Sequence, residues 1–328
     1  MAGGPSTPAL VIAAAAAGAI GFLAGGYKSA DDMAAEMALV RAGASGAFGV
    51  NVFVPGQPTT MPEALQAYLE ALEVEAAALG ARLGQPLWDD DAYQAKLDVL
   101  VADPPPIVSF TFGCPGREIV AALHAAGTLI AVTVTTPAEA ALAHAAGVDC
   151  LCLQGAEAGA HRGSFTNDAA PQQDHSLVAL LTEIPRHSDL PLIAAGGISG
   201  PEEAAAALGA GATLVQLGTA FLRCPESGAH VLYKDALADP HFTGTALTRA
   251  FSGRPARSLV NAFVRDHEGA PAAYPEVNNA TRPLRAAASA AGDPERMSLY
   301  AGVGFRLAEP VAAAEIIQRL APGLVRPR

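Results

Sequence analysis

The chain has 328 residues, 51% of them hydrophobic, with 20 Lys and Arg against 32 Asp and Glu and a formal net charge of −12. That length buries a full core, in one large domain with an appendage or in two domains, and the acidic balance argues against nucleic acid as a partner, because phosphate backbones call for a basic surface. Four cysteines without a framework of spacings point to reduced thiols and the cytoplasm, not to a disulfide scaffold.

Residues 8–26 are apolar and alanine-rich. No basic residue precedes them, and Gly18, Gly21 and Gly25 interrupt them, so they read as a buried helix and strand and not as a signal or membrane span. Ser6 or Thr7 caps a helix over 7–17, and a strand follows over 19–24. Ser29 caps an amphipathic helix over 30–40 with acids in its first turn. Residues 48–54 form a strand that stops at Pro55 and Gly56. Helices follow over 62–83 and 88–100. Asp89, Asp90 and Asp91 open the second as an N-terminal cap, in preference to a metal site. Pro104, Pro105 and Pro106 end this insertion.

Strands over 107–112, 129–135, 148–153, 190–195 and 213–217 then alternate with helices over 116–126, 137–146, 174–184 and 201–208. Their near-continuous apolar character suits a parallel sheet covered on both faces. Regular alternation over this length predicts an α/β fold, a TIM-type (β/α)8 barrel, over an open doubly wound sheet. Seven strands are counted; the first barrel strand is lacking, and residues 1–5 read as the loop that would follow it. Cys150 and Cys152 lie two apart in a strand, share a face and read as core, not as half of a zinc site. From about residue 225 the pattern changes to helices over 229–238, 259–264, 281–290 and 311–320. The expected organisation is a barrel over 1–223 with a helical insertion at about 56–104. A mainly helical substrate or lid region over 224–328 follows, and its last helix returns to the barrel as the eighth.

The strand at 148–153 runs into Gly155-Ala-Glu-Ala-Gly-Ala-His161-Arg-Gly163. In α/β proteins the ligand crevice lies beyond the carboxyl ends of the strands. A histidine delivered there is placed for proton transfer; the other seven have no such setting. Glu157 either orients His161 or a ligand, or is solvated, and Arg162 is either structural or attracts an anion. Further on, two strands run into Gly196-Gly197-Ile198 and Gly218-Thr219. Glycine exposes backbone N–H groups, and the loops after the last two barrel strands often hold a phosphate. No Walker or dinucleotide fingerprint is present, which favours a single-phosphate cofactor such as FMN over a nicotinamide fold.

With these loops in view, the chain resembles the nitronate monooxygenase family, formerly called 2-nitropropane dioxygenases, which are FMN-dependent barrel enzymes. The matching stretches span nearly the whole chain: Met1-Ala-Gly-Gly-Pro-Ser-Thr-Pro8, Phe48-Gly-Val-Asn-Val-Phe-Val-Pro55, Val108-Ser-Phe-Thr-Phe-Gly-Cys-Pro115, Gln154-Gly-x-Glu-Ala-Gly-x-His161-Arg-Gly163, Ala194-Ala-Gly-Gly-Ile198, Gln216-Leu-Gly-Thr-Ala-Phe221 and Tyr274-Pro-x-Val-Asn278. The resemblance implies that residues 1–223 are an FMN-binding barrel. Asn51, Gln154, Gly159, Gly196, Gly197, Gln216, Gly218 and Thr219 match positions that contact FMN, and Met1 and Ala2 a loop near the flavin ring. His161 matches the active-site base, and Tyr300 is expected in the substrate pocket. No metal and no reduced nicotinamide are implied. The implied reaction takes an alkyl nitronate and dioxygen to a carbonyl compound and nitrite, in a cytoplasmic protein without a membrane partner, monomeric or homodimeric.

Departures from the family pattern carry expectations of their own. The glycine before the histidine in many members is Ala160 here. A left-handed backbone would be costly for alanine, and a shift of the loop would move the imidazole. A glutamine near Tyr300 is replaced by Val303. The family's first strand precedes the position of Met1, so Met1 is expected to be an internal methionine and the barrel to have exposed edges. Three readings remain beside the monooxygenase: an FMN-dependent, NAD(P)H-using enoyl-acyl-carrier-protein reductase, a quinone reductase on the same scaffold, and a degenerate flavin-binding protein.

Overall fold

The computed structural model describes residues 1–168 and 174–320. Helix α1 (Pro8–Ala16) starts at Thr7, whose side chain accepts from the N–H of Leu10, with Pro8 in the first turn. It leads into β1 (Gly21–Ala24), α2 (Ala30–Gly43), capped by Ser29 through the N–H of Asp32, and β2 (Phe48–Phe53). The insertion carries α3 (Pro62–Ala78) and α4 (Tyr93–Ala102). Next come β3 (Ile107–Thr111), α5 (Arg117–Ala125), β4 (Leu129–Val134), α6 (Pro137–Ala146) and β5 (Cys150–Gln154). They are followed by β6 (Ala160–His161), α7 (Leu177–Glu183), β7 (Leu192–Ala195), α8 (Pro201–Gly209) and β8 (Leu214–Gln216). The last part holds α9 (Val231–Ala236), β9 (Thr245–Thr248), β10 (Ala256–Leu259), α10 (Ala262–Asp266), α11 (Glu276–Ala290) and α12 (Ala313–Leu320).

Seven parallel strands in the order β1-β2-β3-β4-β5-β7-β8 form one curled sheet, the TIM-type α/β architecture expected, with β1 and β8 at its edges. The two-residue period of the strands divides it into two faces. Val50, Val52, Val108, Phe110, Ile130, Val132, Val134, Leu151 and Leu153 belong to one buried cluster with Met33, Met37, Leu123 and Leu180 of the helices. Burying each such side chain contributes about 1.5–3 kcal/mol. The intervening residues, Asn51, Ser109, Thr111, Thr133, Cys152 and Gln154, line the concave side. Cys152 is buried but faces this interior, so it is a wall residue and not part of the apolar core; Cys150, two residues earlier, is half-buried.

The structure departs from the sequence reading in further places, among them the start of α11 at Glu276 and not at residue 281. Helix α3 stops at Ala78, not near residue 83, because Gly80 turns left-handed at φ +63. The acidic run does not cap α4: Ala92 occupies the cap position in a left-handed conformation without a side-chain bond. Asp91 accepts instead from the N–H of Tyr27 at 2.9 Å and pairs with Lys96 Nζ at 2.7 Å. Lys96 is 1% exposed, and an ammonium so placed demands a carboxylate. Finally, the region after residue 224 is not helical throughout. Strands β9 and β10 join β6 in a three-stranded antiparallel sheet ordered β6-β10-β9. The helix expected from residue 259 therefore begins at Ala262, where Asn261 caps it through the N–H of Val264. Helix α12 packs against α1 and α8, with Leu320 in the main core. The remainder of the C-terminal stretch, 321–328, lies outside the described residues.

Candidate active site

Strand β5 ends in Gln154, whose amide holds the loop that follows. Its Nε2 donates to the carbonyl of His161 at 2.9 Å, and its Oε1 accepts from the N–H of Gly163 at 2.7 Å. From the other side, β10 pairs Ala256 with His161 and Arg257 with Ala160. The segment read from sequence as a glycine-rich turn is thus a short strand clamped on both sides. Ala160 takes φ +64, the left-handed conformation expected to be costly for it, without loss of the pairing on either side. His161 is therefore held in register, not displaced.

The imidazole faces a cavity of about 600 Å³ at the carboxyl ends of the barrel strands. Met1, Ala2, Asn51, Gln154, Gly159, His161, Gly196, Gly197, Gln216, Gly218, Thr219 and Tyr300, all named from the sequence, line that one cavity, and the candidates Glu157 and Arg162 do not. Gly196 and Gly197 both have positive φ, at +105 and +71. A Cβ on Gly159 would lie 2.4 Å from the backbone nitrogen of Gly302, so only glycine fits there. Among the described residues, the N–H groups of Gly197, Gly218 and Thr219 donate to no protein group. Such orphaned donors at a polar cavity wall are the chemical complement of an anion. Thr219 Oγ1 accepts from the N–H of Gly302 at 3.0 Å, which keeps its own proton available. Asn51 Nδ2 donates to Ser109 Oγ at 2.8 Å and Thr111 Oγ1 at 2.9 Å, leaving its Oδ1 without a protein donor.

Around His161 the rings of Phe112, Tyr274 and Tyr300 lie 5.9, 5.8 and 5.2 Å away, centroid to centroid. Ser252 Oγ is 2.8 Å from His161 Nε2. Burial first, then the charges of Arg254 and Arg285, push the imidazole pKa down to about 3. With its pKa this far below the ordinary value, the ring is neutral at ordinary pH. Burial also raises the phenol of Tyr300, opposed by Arg285 and Ser252; its hydroxyl has no hydrogen-bond partner.

The two loop residues left open by the sequence are structural. Glu157 Oε2 accepts from the N–H of Leu177 at the start of α7, 3.1 Å away. Arg162 is buried, donates to the carbonyl of Gly155 at 2.7 Å and lies 3.3 Å from Asp174. Val303 is exposed and donates its N–H to the carbonyl of Glu157. Ser252, Arg254 and Arg285 were not found from sequence, since no local pattern marks a serine or arginine that meets, or acts by its charge on, a loop about ninety or more residues earlier in the chain. Phe112 and Tyr274 lay inside the family-like stretches but had no role there. Among the described residues, no group of three His, Cys, Asp or Glu could hold a metal ion.

The family model described as nitronate monooxygenase matches residues 1–323. Nitronate monooxygenase of Pseudomonas aeruginosa is 40% identical over 329 residues, covering 97% of this chain and 92% of that protein. Nitroalkane oxidase from Streptomyces ansochromogenes has a similar structure, with a TM-score of 0.95 at 48% identity, covering 99% of this chain and 93% of that one. A point variant of FabK from Thermotoga maritima is similar at a TM-score of 0.73 and 26% identity, covering 99% and 90%. The two enzymes of nitro compounds, together with the family model, leave the reductase readings unfavoured.

Proposed function

This chain belongs to the nitronate monooxygenase family, and from that premise we propose that it oxidises alkyl nitronates with dioxygen to a carbonyl compound and nitrite, using FMN, with His161 as its proton-transfer group. The observation that carries this reading is that a neutral imidazole and the orphaned N–H groups of two glycine loops face one cavity.

The donor set fits FMN. Gly197, Gly218 and Thr219 offer backbone N–H groups to the phosphate, Asn51 Oδ1 offers an acceptor to the ring, and Met1, Gly159, Gly196 and Gln216 complete the wall. Gln154 contributes through the loop it holds, both ends of its amide being taken. When bound, FMN supplies the electron acceptor for the nitronate and the centre at which dioxygen is consumed.

The chain's own residues then orient the substrate and handle one proton. For a neutral nitroalkane, the α C–H bond breaks, its electron pair moves onto the nitro group and the imidazole of His161 holds the proton. The nearby guanidiniums of Arg254 and Arg285 favour the anion that forms. A base of such low pKa removes a carbon-bound proton slowly. Nitronates, which have already lost that proton, are therefore expected to be the better substrates.

The four cysteines are free thiols, and no helix among the described residues is long and apolar enough to cross a membrane. A reducing, cytoplasmic setting and a monomeric or homodimeric state belong to the same proposal. The test is the absorbance spectrum of the purified protein, followed by nitrite release from propionate 3-nitronate in air. Flavin bands and nitrite are expected; colourless protein that takes up no FMN and releases no nitrite overturns the reading. His161→Asn is expected to cost neutral nitroalkanes about 100-fold in kcat/KM and nitronates much less, and equal losses would remove the base from the scheme.

A further inference from the structure

We infer that Ser252 is a positioning residue that fixes His161 as its Nε2–H tautomer and leaves Nδ1 as the basic nitrogen, an inference that rests on the reading of His161 as the base. The hydroxyl of Ser252 lies 2.8 Å from His161 Nε2. It also lies 3.1 Å from the main-chain oxygen of Arg254, as donor, and accepts from the N–H of Arg254 at 3.3 Å. A hydroxyl has one proton to give and two lone pairs. A carbonyl can only accept, so the bond to Arg254 requires the serine proton.

Two arrangements are conceivable. If Ser252 gives its proton to Nε2, the Arg254 carbonyl is stranded: no other hydrogen bond to it exists among the described residues. Ser252 is 1% exposed and Arg254 3%, so bulk water does not replace the lost donor, and an unpaired buried carbonyl is costly. If Ser252 instead donates to Arg254, Nε2–H and the Arg254 N–H fill its two lone pairs, and every group is satisfied. The second arrangement is the one the geometry selects. Tyr300 also lies near Ser252, but its hydroxyl makes no bond of hydrogen-bonding geometry and so claims neither the serine proton nor a lone pair.

Neutral imidazole carries one proton. With that proton on Nε2, Nδ1 is bare, and no described group bonds to it. His161 lines the cavity, so the bare nitrogen is the one left for substrate. Ser252 thereby does for this histidine what a buried orienting group does in other proton-transfer sites: it sets ring orientation and tautomer without touching the reacting atoms.

The test is nitrogen-15 spectroscopy of the full-length protein labelled at histidine, with the His161 signals identified by their loss in His161→Asn. The expected spectrum has a protonated Nε2 and a bare Nδ1. In Ser252→Ala those signals should move toward a mixture of tautomers, and in Ser252→Thr, which keeps the hydroxyl, they should return. Turnover should follow: kcat/KM for a neutral nitroalkane falls about tenfold or more in Ser252→Ala, more than for the nitronate, and recovers in Ser252→Thr. A wild-type spectrum with the proton on Nδ1 overturns the inference, and needs no variant to fold. So does a Ser252→Ala spectrum identical to wild type. If the spectra agree but His161→Asn treats nitroalkane and nitronate alike, the base reading fails while the tautomer assignment stands.

Discussion

The guanidinium carbon of Arg254 lies 4.0 Å from the centre of the Phe112 ring. Phe112 itself holds a left-handed backbone, φ +75, and its ring also meets Phe53 at 4.6 Å and Tyr274 at 5.5 Å. Arg254 forms no ion pair among the described residues. Its guanidinium donates to the carbonyls of Arg162, Ser164 and Thr166 instead. A cation held by carbonyls and ring faces, with Glu139 near but not paired to it, keeps much of its field on the cavity. Burial lowers the pKa of Arg254 to about 10, still well above neutrality, so the field is present at working pH.

Arg254→Met is therefore expected to have two effects. Stability should fall by about 2–4 kcal/mol, because carbonyls of the histidine loop lose their donors. The pKa of His161 should rise, because one of the two charges that depress it is gone. Urea unfolding reads the first and a nitrogen-15 titration of His161 the second. A variant whose imidazole titrates as in the wild type would show that burial alone sets that pKa.

Ala160→Gly should stabilise the protein. At φ +64 an alanine Cβ crowds the following carbonyl, a strain of about 1–2 kcal/mol that glycine lacks. Part of this is offset by the extra freedom that glycine has in the unfolded chain. The net gain is expected to be about 1 kcal/mol or less, with the β6–β10 pairing and nitronate turnover retained. A lower midpoint of unfolding in the variant would mean that the alanine methyl makes packing contacts worth more than the strain.

The pH dependence of stability follows from His161. Its folded pKa is about 3 against an ordinary 6.5. Between those values the unfolded chain binds a proton that the folded one does not. Stability from this residue is therefore full above about pH 6.5 and is lost progressively as pH falls toward 3, by up to about 4 kcal/mol. His161→Asn should remove that share, so the stability difference between wild type and variant should shift in the variant's favour from pH 7 to pH 4. A difference that stays constant across that range would contradict a neutral buried imidazole.

Local sequence determined more of this protein than of its active-site chemistry. The two-residue period of strands such as Val50-Asn51-Val52 decides which side chains enter the helix-covered core and which face the cavity, although Asn51 and Gln154 were named from the sequence only through the family resemblance. The glycine loops at Gly196-Gly197 and Gly218-Thr219 were readable directly, since only residues without a Cβ expose backbone so freely. What the chain alone did not disclose depends on pairs distant in sequence. Strand β6 has two residues and exists only because β10 lies beside it. Ser252 becomes the partner of His161 across 91 positions. Asp91 reads locally as a helix cap, but buried Lys96 and the N–H of Tyr27 claim it. Backbone periodicity is a local property and survives in the sequence. The burial that strips water from an imidazole or an ammonium, and so dictates its partner and its proton, arises only when the chain has closed around it.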